Sequence, residues 1–346
     1  MAYRLLIVDD SPYYRLRFSK IFSRSSQLEV AGVAEDGDVA IKRIYDLSPD
    51  IVLLDLMMPN LDGFGVLRWV MANRPLPVVV CSSYGDRDRV FKALELGAVD
   101  FLLKPTPRAS KQTSNLEDRI IQRVEDAALA KTPVQTAPDA DRRADRLAAE
   151  QAAYGAAVEL ICIAASTGGP AALQRLVGEL PKNLFVPIIV VQHMPEGFTR
   201  PFAARLDSLS HYKVVEARDC EQVKARHIYI APAGLETTVR RNGESLFLSV
   251  SSSSISSHAP SADSLFKSAA EAIGERTLAV VLTGMGQDGA GGAEEIRRAG
   301  GHVIVESNES AIVFGMPRSV IERGCASAML PLWSMPPVLL AYSLKE

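Results

Sequence analysis

The first 105 residues alternate between two hydrophobic patterns. Near-continuous apolar runs at 4–8, 29–34, 51–54, 78–81 and 101–103 predict buried strands. Between them, 13–23, 39–46, 64–71 and 87–96 carry apolar residues at the spacing of amphipathic helices. Five strands separated by helices predict a parallel sheet covered on both faces, with right-handed crossovers. A further helix is predicted over 116–130, led by Asn115 as N-cap and packing through Leu116, Ile120, Ile121 and Val124. The pattern then dissolves over 131–157, where Pro133, Pro138, many alanines and mixed charges leave little to bury. That stretch reads as a tether, within which 142–153 is compatible with a helix.

From Val158 the alternation resumes. Buried strands are predicted at 160–164, 187–191 and 278–283, and another where His227 leads into apolar 228–231. Asn242-Gly243 signals a hairpin between 236–240 and 245–250, and serine-rich 249–257 reads as a flexible loop or strand exit. No internal repeat is visible. The expected fold class is α/β: two doubly wound parallel-sheet domains, 1–130 and 158–346, the second with a β-hairpin, joined by the linker 131–157.

Composition narrows the picture. A chain of 346 residues suits two domains, and 47% hydrophobic with 23% charged residues is the balance of a soluble globular protein. A net charge of −3 argues against a nucleic-acid or anionic-membrane partner recruited by bulk charge. No apolar run approaches the about 18 residues of a membrane span, so no membrane insertion is expected. The opening run from Met1 to Asp10 reads as a strand ending in acids rather than a signal peptide. The four cysteines show no CxxC spacing, and Cys81 and Cys162 read as reduced core residues. A cytoplasmic location follows as the expectation.

Two sets of strand ends carry candidate chemistry. In the first half Asp9 and Asp10 end the first strand, Asp55 the third, Ser82 the fourth and Lys104, before Pro105, the fifth. A parallel sheet gathers such ends along one edge. Three carboxylates there form an oxygen site for a hard cation such as Mg²⁺. A cation and a lysine beside a carboxylate would stabilise a phosphoryl group transferred onto it. Each residue alone reads as a helix cap or a solvated strand end; it is the five together that indicate a site.

In the second half three runs follow predicted strands: Ala165-Ser166-Thr167-Gly168-Gly169-Pro170, Gln192-His193-Met194-Pro195 and Gly284-Met285-Gly286-Gln287-Asp288-Gly289. A hydroxyl, an imidazole and a carboxylate on one sheet edge are the parts of an acyl-transfer triad. Ser166 lies before a glycine turn and Pro170, near the amides of a helix N-terminus, although the run is not a G-x-S-x-G elbow. Of five histidines only His193 directly follows an apolar strand; His258 is the second candidate, and His211, His227 and His302 read as surface or structural. Gly284, Gly286 and Gly289 also spell a G-x-G-x-x-G dinucleotide fingerprint, with Glu306 near the place of a ribose-binding acid. Against that reading, Asp288 would face a pyrophosphate, and the motif comes late in its domain.

Residues 1–130 resemble the receiver domain of two-component response regulators, through Val8-Asp9-Asp10-Ser11, Leu54-Asp55-Leu56-Met57-Met58-Pro59 with Asp62-Gly63, Ser82 and Lys104-Pro105. The resemblance implies a flavodoxin-like fold, phospho-acceptance at Asp55, Mg²⁺ at Asp9, Asp10 and Asp55, and Ser82 and Lys104 as phosphoryl contacts. Phe101 stands where receivers carry a switch aromatic, and Pro12 is a departure in the first loop.

Residues 158–342 resemble the catalytic domain of chemotaxis-type protein-glutamate methylesterases, the CheB family. The matching runs are those around Ser166, His193 and Asp288, with Tyr229-Ile230-Ala231-Pro232 and Val313-Phe314-Gly315-Met316-Pro317. The resemblance implies a Rossmann-like serine hydrolase with Ser166 as nucleophile, His193 as general base and then acid, and Asp288 orienting the imidazole. It further implies the Met285 amide as oxyanion donor, Thr167 as a positioning residue, and no cofactor in this half. The implied substrates are glutamyl methyl esters, and glutamines, on the cytoplasmic helices of methyl-accepting chemoreceptors. A sensor histidine kinase is the implied phosphodonor. One departure is Ala259, where the family loop 258–263 usually carries arginine. Readings as a nicotinamide-linked oxidoreductase, a DNA-binding regulator or an inactive adaptor stand as alternatives.

Overall fold

The computed structural model describes residues 2–83, 87–105, 113–130, 157–252 and 259–343, without the side chains of 113–115. The chain divides into two compact units, Met1–Pro133 and Val134–Glu346. The expected linker helix at 142–153 and His258 lie outside the described residues, as does most of the serine-rich run.

The first unit holds five strands, β1 (Tyr3–Val8), β2 (Leu28–Ala34), β3 (Ile51–Asp55), β4 (Val78–Ser82) and β5 (Asp100–Leu103). They pair in parallel in the order β2-β1-β3-β4-β5. β3 and β4 are buried along their whole length, which is why they read as unbroken apolar runs. The helices are α1 (Pro12–Phe22), α2 (Gly37–Leu47), α3 (Gly63–Asn73), α4 (Arg87–Glu95) and α5 (Thr113–Ala128). Asp36 and Asp62 start α2 and α3 by accepting from the Val39 and Gly65 amides at 2.9 and 2.8 Å. Pro12 is the first residue of α1, a position where its missing N–H costs nothing. Asn115 falls inside α5 rather than ahead of it, because the helix already runs from Thr113.

In the second unit, β6 (Leu160–Ala165), β7 (Ile188–Gln192), β8 (Lys213–Glu216), β9 (His227–Ile230), β12 (Thr277–Val281), β13 (His302–Glu306) and β14 (Ala328–Leu330) form one parallel sheet. Its order is β14-β13-β12-β6-β7-β9-β8. Around it lie α6 (Gly169–Glu179), α7 (Thr199–Leu209), α8 (Ala262–Ile273), α9 (Ala290–Arg298), α10 (Gly315–Glu322) and α11 (Met335–Ser343). One core packs Cys162, Ala164 and Val191 of the sheet against Leu265, Phe266, Ala293 and Ile296 of α8 and α9.

β10 (Leu235–Asn242) and β11 (Ser245–Ser252) make a separate antiparallel hairpin. Asn242 pairs with Ser245, so the two turn residues are Gly243 and Glu244, one position later than the Asn-Gly signal. Gly243 at φ 61° supplies the positive φ of a turn that opens on glycine. Among the described residues no helix is long and apolar enough to cross a membrane.

Candidate functional site

The acidic cluster of the first unit forms where the strand ends suggested. Asp9, Asp10 and Asp55 each offer an oxygen, and these atoms lie within 4.8 Å of one another. Asp9 and Asp55 are buried and Asp10 is exposed. The Lys104 ammonium bridges Asp9 Oδ2 at 2.8 Å and Asp55 Oδ2 at 2.7 Å, and lies 4.7 Å from the centre of the Tyr14 ring. Burial works against the lysine's charge, but Asp55 and Asp9 hold its pKa above the ordinary value. Burial pushes the Asp55 carboxyl up and the charge of Asp9 adds to this, with Lys104 and the Met57 amide opposing. Arg15 fixes the first loop by donating to the carbonyls of Asp9 and Asp10 at 2.7 and 2.9 Å. Ser82 is buried at the end of β4, and its carbonyl accepts from the Lys104 amide at 2.9 Å.

A hard cation fits this donor set of three convergent carboxylates. Asp9, Asp10 and Asp55 would hold Mg²⁺, which supplies positive charge to phosphate oxygens when bound.

In the second unit the sheet order β12-β6-β7 sets the three singled-out loops side by side. β6 delivers Ser166, β7 delivers His193, and the loop after β12 carries Met285 and Asp288. His193 Nε2 lies 2.9 Å from Asp288 Oδ2. Asp288 is clamped further: Oδ2 accepts from the Ala262 amide at 2.8 Å, and Oδ1 from the Ser261 hydroxyl at 2.9 Å and the Asp263 amide at 3.0 Å. Burial alone would raise this carboxyl, but His193 and the two amides outweigh it and hold the pKa at about 2. Asp288 is therefore ionised throughout the neutral range.

Ser166 is half-buried, and its hydroxyl is not hydrogen-bonded to His193 among the described residues. Catalytic hydrogen bonds are often long in ligand-free sites. With Nε2 on Asp288, Nδ1 is the ring nitrogen left without a hydrogen bond among the described residues. The Met285 amide is free of hydrogen bonds among the described residues, and Gly315 leaves it room, since a Cβ there would meet Met285 Cα at 3.0 Å. Thr167 is buried, with its carbonyl accepting from the Thr283 hydroxyl at 2.9 Å.

Several residues that hold this site were missed from the sequence. Gln192, buried at the end of β7, donates through Nε2 to the carbonyls of both Ser166 and His193, each at 3.0 Å. A Cβ on Gly169 would strike the Gln192 Oε1 and stand 2.8 Å from Ala165 Cβ, so a side chain there would displace the glutamine. Thr283 is a hub: its carbonyl accepts from the Ser166 amide at 3.0 Å and its hydroxyl from the Val313 amide at 2.9 Å. The Thr283 amide in turn donates to Glu306 Oε2 at 2.7 Å. A lone polar residue ending an otherwise apolar strand was the available signal for Gln192, Thr283 and Glu306.

Glu306 also settles the dinucleotide alternative. It is 0% exposed, with Oε1 accepting from the Ser310 hydroxyl at 2.8 Å, so both oxygens are engaged and neither can reach a ribose. Asp288, ionised and held by four donors, would repel a pyrophosphate at this loop. Of the other histidines, His227 stacks on Tyr229 and His302 lies against Tyr342, both at the starts of their strands and so away from the edge that carries Ser166 and His193.

Comparison with known proteins places both halves of the chain in known families. The family model described as CheB methylesterase matches residues 161–339, and that for the response regulator receiver domain matches 5–113. A Geobacter sulfurreducens protein named protein-glutamate methylesterase/protein-glutamine glutaminase 3 is 39% identical, covering 95% of this chain and 94% of its own. A Thermotoga maritima protein named protein-glutamate methylesterase/protein-glutamine glutaminase is 37% identical, covering 97% of each. The crystal structure of the Thermotoga maritima CheB methylesterase catalytic domain is 43% identical, with a TM-score of 0.52 over 54% of this chain and 98% of that one. The chain belongs to the CheB methylesterase family, with a receiver domain of the response-regulator type ahead of the esterase region.

Proposed function

We infer that this chain is a phosphorylation-activated hydrolase that demethylates glutamyl methyl esters on chemoreceptors, and deamidates glutamines there, by a Ser-His-Asp triad. The observation that carries this is His193 held at 2.9 Å by a four-fold clamped Asp288, on the sheet edge that also presents Ser166. The names borne by the relatives supply the substrate class.

Ser166 Oγ attacks the ester carbonyl as His193 Nδ1 takes its proton. The oxyanion lies against the Met285 amide, with Thr167 holding the turn. The carbon–oxygen bond to methoxide breaks, His193 returns the proton, and methanol leaves an acyl-enzyme. A water molecule, deprotonated by His193, then releases glutamate; with a glutamine substrate the first leaving group is ammonia. The ionised Asp288 stabilises the imidazolium in both steps.

Residues 1–130 are assigned as the receiver, 131–157 as the linker and 158–346 as the catalytic domain. Asp55 accepts the phosphoryl group from a sensor histidine kinase, with Ser82 and Lys104 contacting it, and the protein works in the cytoplasm against the receptors' cytoplasmic helices. The test is methanol release from methylated receptor membranes, with and without a small phosphodonor and Mg²⁺. Release that rises with the phosphodonor supports the reading; release insensitive to it removes the activation step, and no release removes the substrate.

A further inference from the structure

Two helices of the second unit begin beside each other and exchange carboxylates. Asp288, two residues ahead of α9, accepts from the Ala262 and Asp263 amides at the start of α8, at 2.8 and 3.0 Å. Asp263, in the first turn of α8, accepts from the Gly289 and Gly292 amides at the start of α9, at 3.0 and 2.6 Å, both through Oδ1. The first amides of a helix have no partner within it, so each carboxylate supplies what the other helix lacks.

The geometry points to Asp263 as a positioning residue that fixes the Asp288 carboxylate and, through it, the His193 ring. This rests on the triad reading above. The peptide that Asp263 grips is the one joining Asp288 to Gly289, so its rotation swings Asp288. Gly289 is in the left-handed region at φ 93°, where glycine is least restrained by its own sterics. The approach is close: a Cβ on Gly292 would stand 2.9 Å from the Asp263 carbonyl oxygen. Burial pushes the Asp263 carboxyl up and the charge of Asp288 adds to this, whereas the two glycine amides and Arg323 pull it down. The like-charged pair is therefore held in place by amides from both helices.

Full-length wild type, Asp263→Ala and Asp263→Asn are compared with a fluorophosphonate probe. Labelling is mapped to Ser166 by mass spectrometry, and its rate is followed against probe concentration. Asparagine keeps one oxygen able to accept both amides, as Oδ1 does. The alanine variant is expected to reach a maximal rate per labelled serine on the order of tenfold to a hundredfold lower, at unchanged half-saturation. The asparagine variant is expected to recover to within about threefold of wild type. A merely structural role would lower the melting temperature and the fraction labelled, not the rate per labelled serine. A folded Asp263→Ala labelling at the wild-type rate, or an asparagine variant as slow as alanine, overturns the proposal. Wild type unlabelled at Ser166 overturns the triad reading and this inference with it. Labelling without methanol release from receptor membranes overturns only the substrate.

Discussion

Gly284 offers the sharpest test of how Ser166, the proposed nucleophile, is seated. Its amide donates to Val313 and its carbonyl accepts from Met316, and its φ is not left-handed, so the backbone itself would accept alanine. The obstacle is space. A Cβ at this position would lie 2.8 Å from Ser166 Cβ and 3.1 Å from Ser166 N, and would also strike Met316 Sδ. The methionine is flexible, but Ser166 is not: Thr283 holds its amide at 3.0 Å, and Gln192 its carbonyl at 3.0 Å. Ordinary contact begins at 3.4 Å, so Gly284→Ala must push Ser166 Cβ back by about 0.6 Å or more. Overpacking of this kind costs about 1–3 kcal/mol, a melting-temperature loss of several degrees. A nucleophile misplaced by about 1 Å can lose on the order of a hundredfold in rate. Fluorophosphonate labelling of Ser166 in full-length Gly284→Ala is therefore expected to slow by about tenfold to a hundredfold. Gly178→Ala is the control, because its Cβ would meet only the Leu209 carbonyl at 3.9 Å. A folded Gly284→Ala protein labelling within about twofold of wild type would refute this account of the packing.

Ser166→Ala and His193→Ala should each lower methanol release by about a million-fold, and Asp288→Asn by about ten-thousand-fold, as in triads acting as a unit; near-normal turnover by Ser166→Ala would sink the nucleophile assignment. Asp55→Asn should abolish Mg²⁺-dependent formation of acid-labile phosphate, whereas wild-type phosphate on that variant would remove Asp55 as acceptor. Burial, opposed by Ser310 and the Thr283 amide, pushes the Glu306 carboxyl up to about 7 from 4.5. The unfolded chain thus loses this proton first, and stability falls as pH rises from about 4.5 to about 7. Glu306→Gln, which can still accept from Thr283, should remove that loss of up to about 3 kcal/mol; thermal melts of both proteins across this range check it, and parallel curves would contradict the assignment.

What could be read from the chain follows from periodicity. β3, β4, β6 and β7 are buried throughout, so their apolar runs announced themselves, and a parallel sheet puts whatever follows such runs on one edge. That is why Asp55, Ser166 and His193 could be placed on those edges from position alone. β8 and β14, four and three residues long and only partly buried, had no such signal. Nor did the order β14-β13-β12-β6-β7-β9-β8, since parallel neighbours lie far apart in sequence and no local pattern ranks them. The supports of the site belong to the same class. Gln192 gripping two peptides, Thr283 joining three loops, and Asp263 and Asp288 capping each other's helices are hydrogen bonds between segments up to 116 residues apart. The residue types were visible in the chain, but which donors face which acceptors depends on strand order and helix placement, and those were decided only when the hydrophobic faces packed.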